Sequence, residues 1–304
     1  MKKGFAHLHQ KPQVTYQFIK DHKNVFQVAK MCDLFGVSPS GFYDWLKREP
    51  SKQEMKRKQL TLDIKRVHKK SRKIYGSPKI TKQLHREGIE VSEHTVQRIM
   101  KEEGVVSKTA KKFKETTNSK HDNPVYPNIL NRKFTTEAPG KAWVADITYV
   151  WTKEGFLYLA SVMDLYSRKI IGFHMGERLK KELVITALER AMKHQPPQEG
   201  LIHHSDRGSQ YASSEYTSKL KESQIQISMS RKGNCYDNAC IESFHSVIKK
   251  ELIYQTTYTT RAEAKKDIFE YITCFYNPER IHSTNGYLSP MEFEKVYILK
   301  KRTS

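Results

Sequence analysis

The chain has 304 residues and a formal net charge of +21, with 54 Lys and Arg against 33 Asp and Glu. That length suits two or three domains, and so basic a balance points to a polyanionic partner, nucleic acid first. The four cysteines form no Cys-x-x-Cys pair, no apolar run is long enough to span a bilayer, and "MKKGFAHLHQ" lacks the apolar core of a signal peptide. A disulfide scaffold, a membrane protein and a secreted protein are therefore not expected, and the place of action is expected to be the cytoplasm.

The charge is regional. Residues 1–137 hold 30 basic and 14 acidic residues, against 24 and 19 in the remainder. The first part reads as the nucleic-acid grip and the second as a more balanced domain. His7 and His9 have no cysteine partners at metal-ligand spacing and read as part of a disordered terminus.

Residues 1–55 are expected to hold a first helix-turn-helix region. "NVFQVAKMCDLFG" places Val25, Val28, Ala29, Cys32 and Phe35 at helical spacing and stops at Gly36. "VSPSGFYDWLKR" follows, with Ser38 as N-cap and Pro39 at the first helical position. Residues 56–107 read as a second such domain. It holds a basic helix in "TLDIKRVHKKSRKIYG", then "SPKITKQLHREG" capped by Ser77, then "VSEHTVQRIMKEEG" capped by Ser92. The last would be the recognition helix, with His94, Thr95, Gln97 and Arg98 toward base edges. Residues 108–140 are rich in Lys, Thr, Asn and Pro and read as a basic linker.

From residue 141 the texture changes. "AWVADITYVWT", "GFLYLASVMDLYS" and "RKIIGFHM" are three strand-like runs. They are followed by the helix "KKELVITALERAMKHQ", the strand "LIHHSD", the helix "SSEYTSKLKES" and the strand-like "IQISM". Such an order predicts a mixed, five-stranded α/β sheet with flanking helices over 141–280, then a tail over 281–304.

Three carboxylates stand out in that region. Asp146 is the sole charge in a strand apolar on both faces, where a bare carboxylate is costly. Asp206 ends an apolar strand, the place where sites gather in α/β sheets. Glu242 opens a helix in "SRKGNCYDNACIESFHSVIKKEL", on a polar stripe with His245, Ser246 and Lys249 beside the apolar stripe of Ile241, Phe244, Ile248 and Leu252. A single buried Asp is ordinarily a hydrogen-bonded structural residue. Three carboxylates together suit Mg²⁺ or Mn²⁺, and two such ions serve phosphodiester chemistry. Lys249 is expected to hold a DNA phosphate, with Arg231, Lys232 and His245 as neighbouring DNA contacts. Asp164 and Asp237 read as turn and cap residues, and Cys235 and Cys240 as packing or loop residues.

The intervals complete a pattern. Asp146 and Asp206 have 59 residues between them, Asp206 and Glu242 have 35, and Lys249 follows Glu242 by seven. With "WVADITYV", "HHSDRGSQYAS", "SRKGNCYDNACIESF" and "YNPERIHSTNGYLSPMEFE", the chain resembles the OrfB-type DDE transposases of the IS-three group of bacterial insertion sequences. The resemblance spans nearly the whole chain. It implies a ribonuclease-H-like core that carries Asp146, Asp206 and Glu242 as catalytic metal ligands. It also implies Mg²⁺-dependent 3′-end cleavage and strand transfer, through copy-out and paste-in transposition. Expected partners are the terminal inverted repeats, target DNA, a second copy of the chain and an OrfA-type protein. Three departures stand beside the likeness. Asn285 occupies an expected leucine position and reads as local packing, residues 1–60 lack a zipper heptad, and no His-His-Cys-Cys zinc domain is found. The rival readings are a related integrase or nuclease of the same fold, and a DNA-binding regulator with an inactive second half.

Overall fold

The structure is a computed structural model and describes residues 12–108, 124–232 and 234–303. The expectations for His7, His9 and residues 109–123 of the linker lie outside the described residues. The chain forms two compact units, divided after Asp63.

The first unit packs α1 (Pro12–His22), α2 (Val28–Phe35) and α3 (Pro39–Lys47) around Ile19, Met31, Cys32, Phe35 and Phe42. Sparse apolar residues hide α1 in the sequence: Ile19 is wholly buried while Val14 is exposed. The α2 helix begins later than its apolar spacing suggests, so Val25 lies outside it and is exposed. Ser38 caps α3 as expected, its Oγ accepting from Gly41 N at 3.3 Å. The long α4 (Lys52–Lys70) runs across the division. It opens on a reciprocal Ser-x-x-Glu box, in which Glu54 N donates to Ser51 Oγ and Ser51 N donates to Glu54 Oε2.

In the second unit the end of α4 packs with α5 (Ser77–Arg86) and α6 (Glu93–Glu102) through Ile64, Val67, Ile80, Leu84, Val96 and Ile99. Ser92 caps α6, its Oγ accepting from Thr95 N at 3.2 Å. Ser77 does not cap α5: Gly76 stands at the N-cap and Ser77 is already helical, with Pro78 in the first turn. Pro is favoured in a first turn, so the helix starts there without a side-chain cap.

The remaining elements form one five-stranded sheet in the order β3-β2-β1-β4-β5. Its strands are β1 (Ala142–Thr152), β2 (Gly155–Asp164), β3 (Ile170–Gly176), β4 (Ile202–Ser205) and β5 (Gln226–Met229). The first three are antiparallel, and β4 and β5 run parallel to β1. The central place of β1 explains why both its faces are apolar, with Trp143, Val144 and Val150 fully buried.

On one face, Trp143, Ala145, Ala160 and Val162 pack with residues of α7 (Lys181–His194) and α8 (Ser214–Glu222). Contact there is close at Gly172 of β3, where a Cβ would meet Ala187 O at 2.4 Å and Ala191 N at 2.5 Å. By strand alternation, Asp146 and Ser161 belong to the opposite face, against which α9 (Ala239–Glu251) and α10 (Arg261–Glu270) pack. The chain closes with a π-helical turn, Tyr271–Tyr276, and with α11 (Pro290–Thr303), which lies within the stretch read as a tail.

Candidate active site

Asp146 and Asp206 are brought together by strand register. The last bonded pair between the parallel strands β1 and β4 is Ala145 with Ser205. Each aspartate follows its member of that pair, so the two lie side by side, about one strand spacing of roughly 4.8 Å apart at the backbone. The Asp206 carboxylate is oriented by its own turn, where Gly208 N donates to Oδ1 at 2.9 Å. A Cβ at Gly208 would stand 3.0 Å from that oxygen, so a side chain there would press on the carboxylate.

Asp146 is held from the helix above it. His245 is 4% exposed and its Nδ1 donates to Asp146 Oδ2 at 3.2 Å, while Nε2 lies 3.3 Å from Ser161 Oγ. Ser161 is the register partner of Asp146 in the β1–β2 hairpin, which brings both within reach of one imidazole. The start of α9 is tied to the same place, since Asn238 Nδ2 donates to Ala145 O at 3.1 Å.

Tyr211, five residues past Asp206, is buried, and among the described residues its hydroxyl has no hydrogen-bond partner. Burial, the neighbouring Tyr216, and the charges of Asp146 and Asp206 hold this phenol well above its ordinary pKa. Two adjacent carboxylates supply the oxygen ligands that a divalent cation such as Mg²⁺ prefers. Glu242 lies one turn before His245 on α9 and is exposed. Among the described residues, no three His, Cys, Asp or Glu side chains are already arranged to hold a metal. Two of the three expected ligands thus stand together, with the third on the adjoining helix.

The other expected site residues are dispersed. The buried stripe of α9 takes in Ile241, Phe244, His245, Ile248 and Lys249, so half of the stripe read as polar lies inside. Lys249 is 7% exposed, with Nζ 4.8 Å from the Tyr149 ring centroid. Arg231 is turned to Asp237, which it meets through Nε at 2.9 Å and Nη2 at 2.7 Å, and Arg132 Nε reaches the same carboxylate at 2.8 Å. Those bonds, chiefly from Arg231, hold the fully buried Asp237 far below the usual carboxylate range. Asp237 is therefore an anchor of the loop and not the cap of α9, whose N-cap position is Asn238. Lys232 is exposed on that loop. On α6, His94, Gln97 and Arg98 are exposed and Thr95 is half-buried against Ser92.

Asp164 is buried, and its carboxylate accepts from Gly140 N and Tyr166 N, both at 2.7 Å. It closes a turn, as expected. Asn285 is 2% exposed, and its Nδ2 donates to Ser167 O at 2.7 Å. It pins the turn after β2 by hydrogen bonding, where plain packing was expected.

Sequence comparison places the chain among known proteins. Residues 136–235 and 242–297 match the Integrase core domain, and residues 55–113 match the HTH-like domain. The chain is 46% identical over 267 residues to the Insertion element IS600 uncharacterized 31 kDa protein of Shigella sonnei, covering 88% of this chain and 98% of that protein. It is 44% identical to the Transposase for insertion sequence element IS904 of Lactococcus lactis, covering 82% and 98%. It is 37% identical to the Transposase InsF for insertion sequence IS3A of Escherichia coli, covering 92% and 98%. Among solved structures, the HTLV-2 integrase catalytic core domain in complex with magnesium is a distant likeness. It is 14% identical, covers 52% of this chain and 98% of that one, and has a TM-score of 0.42. With relatives this similar over nearly their whole length, an integrase core domain behind an HTH-like domain, and a basic charge suited to DNA, the chain belongs to the IS3-family transposases.

Proposed function

We propose that the chain cleaves DNA at the ends of its insertion sequence and joins the freed 3′ ends to new DNA, with Asp146, Asp206 and Glu242 as the catalytic carboxylates. The observation that carries this reading is the register of β1 and β4, which seats Asp146 and Asp206 side by side at the carboxyl end of β4. The three carboxylates would hold Mg²⁺ or Mn²⁺, which when bound activates an attacking oxygen and stabilises a leaving one. In cleavage, a water oxygen forms a bond to phosphorus, the bond to the 3′ oxygen breaks, and that oxygen leaves as a 3′-OH. In joining, the 3′-OH makes the same attack on another phosphodiester. Each step exchanges one P–O bond for another and needs no protein nucleophile.

The chain's own groups prepare this chemistry. His245 and Gly208 N–H fix the carboxylates of Asp146 and Asp206 before DNA arrives, and such fixed geometry lowers the cost of reaching the transition state. Glu242, exposed in the first turn of α9, joins them as DNA closes the site. The exposed face of α6 reads the terminal repeat, and Lys249 stands on the active-site helix as a phosphate contact.

The test uses Mg²⁺ and a labelled duplex that carries the terminal repeat. The parent chain, with an OrfA-type partner added where needed, should nick to a free 3′-OH and give joined products. Asp206→Asn and Glu242→Gln should each lower the rate by more than about a hundredfold while duplex binding persists. Parental nicking by either variant would remove that residue from the catalytic set.

A further inference from the structure

The β1–β2 hairpin carries four aromatic residues on one face. Register pairs Tyr149 with Tyr158 and Trp151 with Phe156. The rings touch in a continuous series: Trp151 to Phe156 at 4.9 Å, Tyr149 to Phe156 at 5.4 Å, and Phe156 to Tyr158 at 6.3 Å between centroids. Cross-strand aromatic pairing stabilises a hairpin, which accounts for the contacts among the rings. It does not account for their exposure, which is 62% at Trp151 and 42% at Phe156. A single exposed aromatic is ordinary, whereas a connected row is a surface that meets something.

Position and charge indicate what it meets. Tyr149 lies three residues past Asp146 on the same strand, about 10 Å along it at some 3.3 Å per residue, and by alternation projects from the other face of the sheet. Beyond Ala145 no strand pairs with the β4-side edge of β1 among the described residues, apart from an isolated bridge between Thr152 and Tyr258. There Lys249, from the helix that carries Glu242, places its ammonium over the Tyr149 ring. The acids near the hairpin tip are answered within the chain: Arg261 N donates to Glu154 at 2.8 Å and Arg261 Nη1 to Glu177 at 3.3 Å. Lys153 is exposed at the tip. A row of π faces framed by two lysines, on a chain of net charge +21, suits a polyanion with flat rings better than a second copy of this basic chain.

We propose that Trp151 and Phe156, continuous with Tyr149, form a stacking platform for unpaired nucleobases of the DNA strand within a few nucleotides of the cleaved bond. This rests on the reading of Asp146 as an active-site residue. Only unpaired bases offer their faces, so the platform favours frayed or single-stranded flanks and holds an opened end in place for attack.

The full chain is titrated with two duplexes of the terminal repeat. One has a fully paired flank and the other an unpaired flank carrying 2-aminopurine. Trp151→Ala should weaken binding to the unpaired flank about tenfold, in line with the loss of one base stack. The same change should alter paired-duplex binding less than about twofold and abolish quenching of 2-aminopurine. Trp151→Phe should restore most of both. Equal losses on both duplexes, or unchanged quenching in Trp151→Ala, would overturn the platform. So would a change in sedimentation showing that Trp151→Ala separates two copies of the chain. Asp206→Asn is run alongside: if it nicks like the parent, the catalytic reading fails, whatever Trp151 does.

Discussion

His245 shows how much one residue's meaning depends on its neighbours. On a helical wheel it falls on a polar stripe with Glu242 and Lys249, which suggests a DNA contact. In the folded chain it is buried on Asp146 and Ser161, and under the proposed function it is a positioning residue for Asp146. A carboxylate held by a hydrogen bond is preorganised to bind a metal, and loss of such a support typically costs ten- to a hundredfold in metal affinity or activity. His245→Phe keeps a ring without the donor and should weaken Mn²⁺ binding to the DNA complex by roughly that factor. His245→Asn, whose amide can stand in for Nδ1, should recover much of it. Titration calorimetry with Mn²⁺ on the DNA-bound chain checks this, with duplex affinity as the control. Equal affinity for Mn²⁺ in the parent and His245→Phe would leave His245 a purely structural residue. Part of this pairing was legible beforehand. A tight turn at Lys153 and Glu154 sets Asp146 opposite Ser161 by counting alone, but no count shows which helix residue spans the two. The same limit explains Asp237. Its burial and two arginine partners come from residues 105 and 6 positions away in sequence, which no local pattern links.

Among the elements, β4 is the most demanding. It spans only Ile202–Ser205, holds two adjacent histidines, and delivers Asp206. His203 is 1% exposed, with Nε2 3.0 Å from Tyr216 Oη. His204 meets Ser228 Oγ at 2.8 Å and Ser230 Oγ at 3.1 Å, which ties β4 to β5. Burial, aided by the neighbouring His204, pushes the His203 pKa down from 6.5 to about 3. The sign follows directly: between those values the unfolded chain takes up a proton that the folded chain refuses. The contribution of His203 is therefore whole above about pH 6.5 and is lost as pH falls toward 3. At pH 5 the loss should be about 2 kcal/mol, at 1.36 kcal/mol per pH step below 6.5. His203→Gln, which retains an acceptor for the Tyr216 hydroxyl, should lose less stability between pH 7.5 and pH 5 in urea unfolding. The same acid loss in parent and variant would exclude His203 as its source. Elements of this kind were readable as strands from their apolar runs and turn residues, and α3 and α6 from their Ser caps. The first helix was not, because its buried face amounts to little more than Thr15 and Ile19, too few positions to show a period.

For the larger unit, the question is whether its helical front and its sheet domain unfold together. Contacts between them are polar and specific. Tyr75 Oη accepts from Ile281 N at 2.8 Å, Lys70 meets Glu279 at 3.0 Å, and Arg86 Nη2 donates to Glu292 at 2.7 Å. The two ion pairs are substantially exposed and contribute little alone. Behind them lies a buried pair: Arg280 donates through Nε and Nη2 to Glu251 at 2.8 and 2.7 Å, and Tyr271 Oη donates to Glu251 at 2.6 Å. Burial alone would raise the Glu251 pKa, but Arg280 outweighs it and holds the carboxyl below its ordinary range. Glu251 ends the helix that bears Glu242 and His245, and Arg280 adjoins the Ile281 amide held by Tyr75. The pair therefore lies where α9 meets the segment on which the HTH-like helices rest. Arg280→Met strands a buried carboxylate, which costs about 3–5 kcal/mol in comparable cases. Glu251→Gln with Arg280→Met, an uncharged pair of similar size, should recover part of that. If front and sheet are one cooperative body, calorimetry of the full chain will show the transition of residues 64–303 moving down as a single peak in Arg280→Met, with hydrogen exchange rising together in α5, α6 and α9. If only α9 and the sheet respond while α5 and α6 keep their protection, the HTH-like helices fold independently of the core, and α6 would not be rigidly fixed to the helix that bears Glu242.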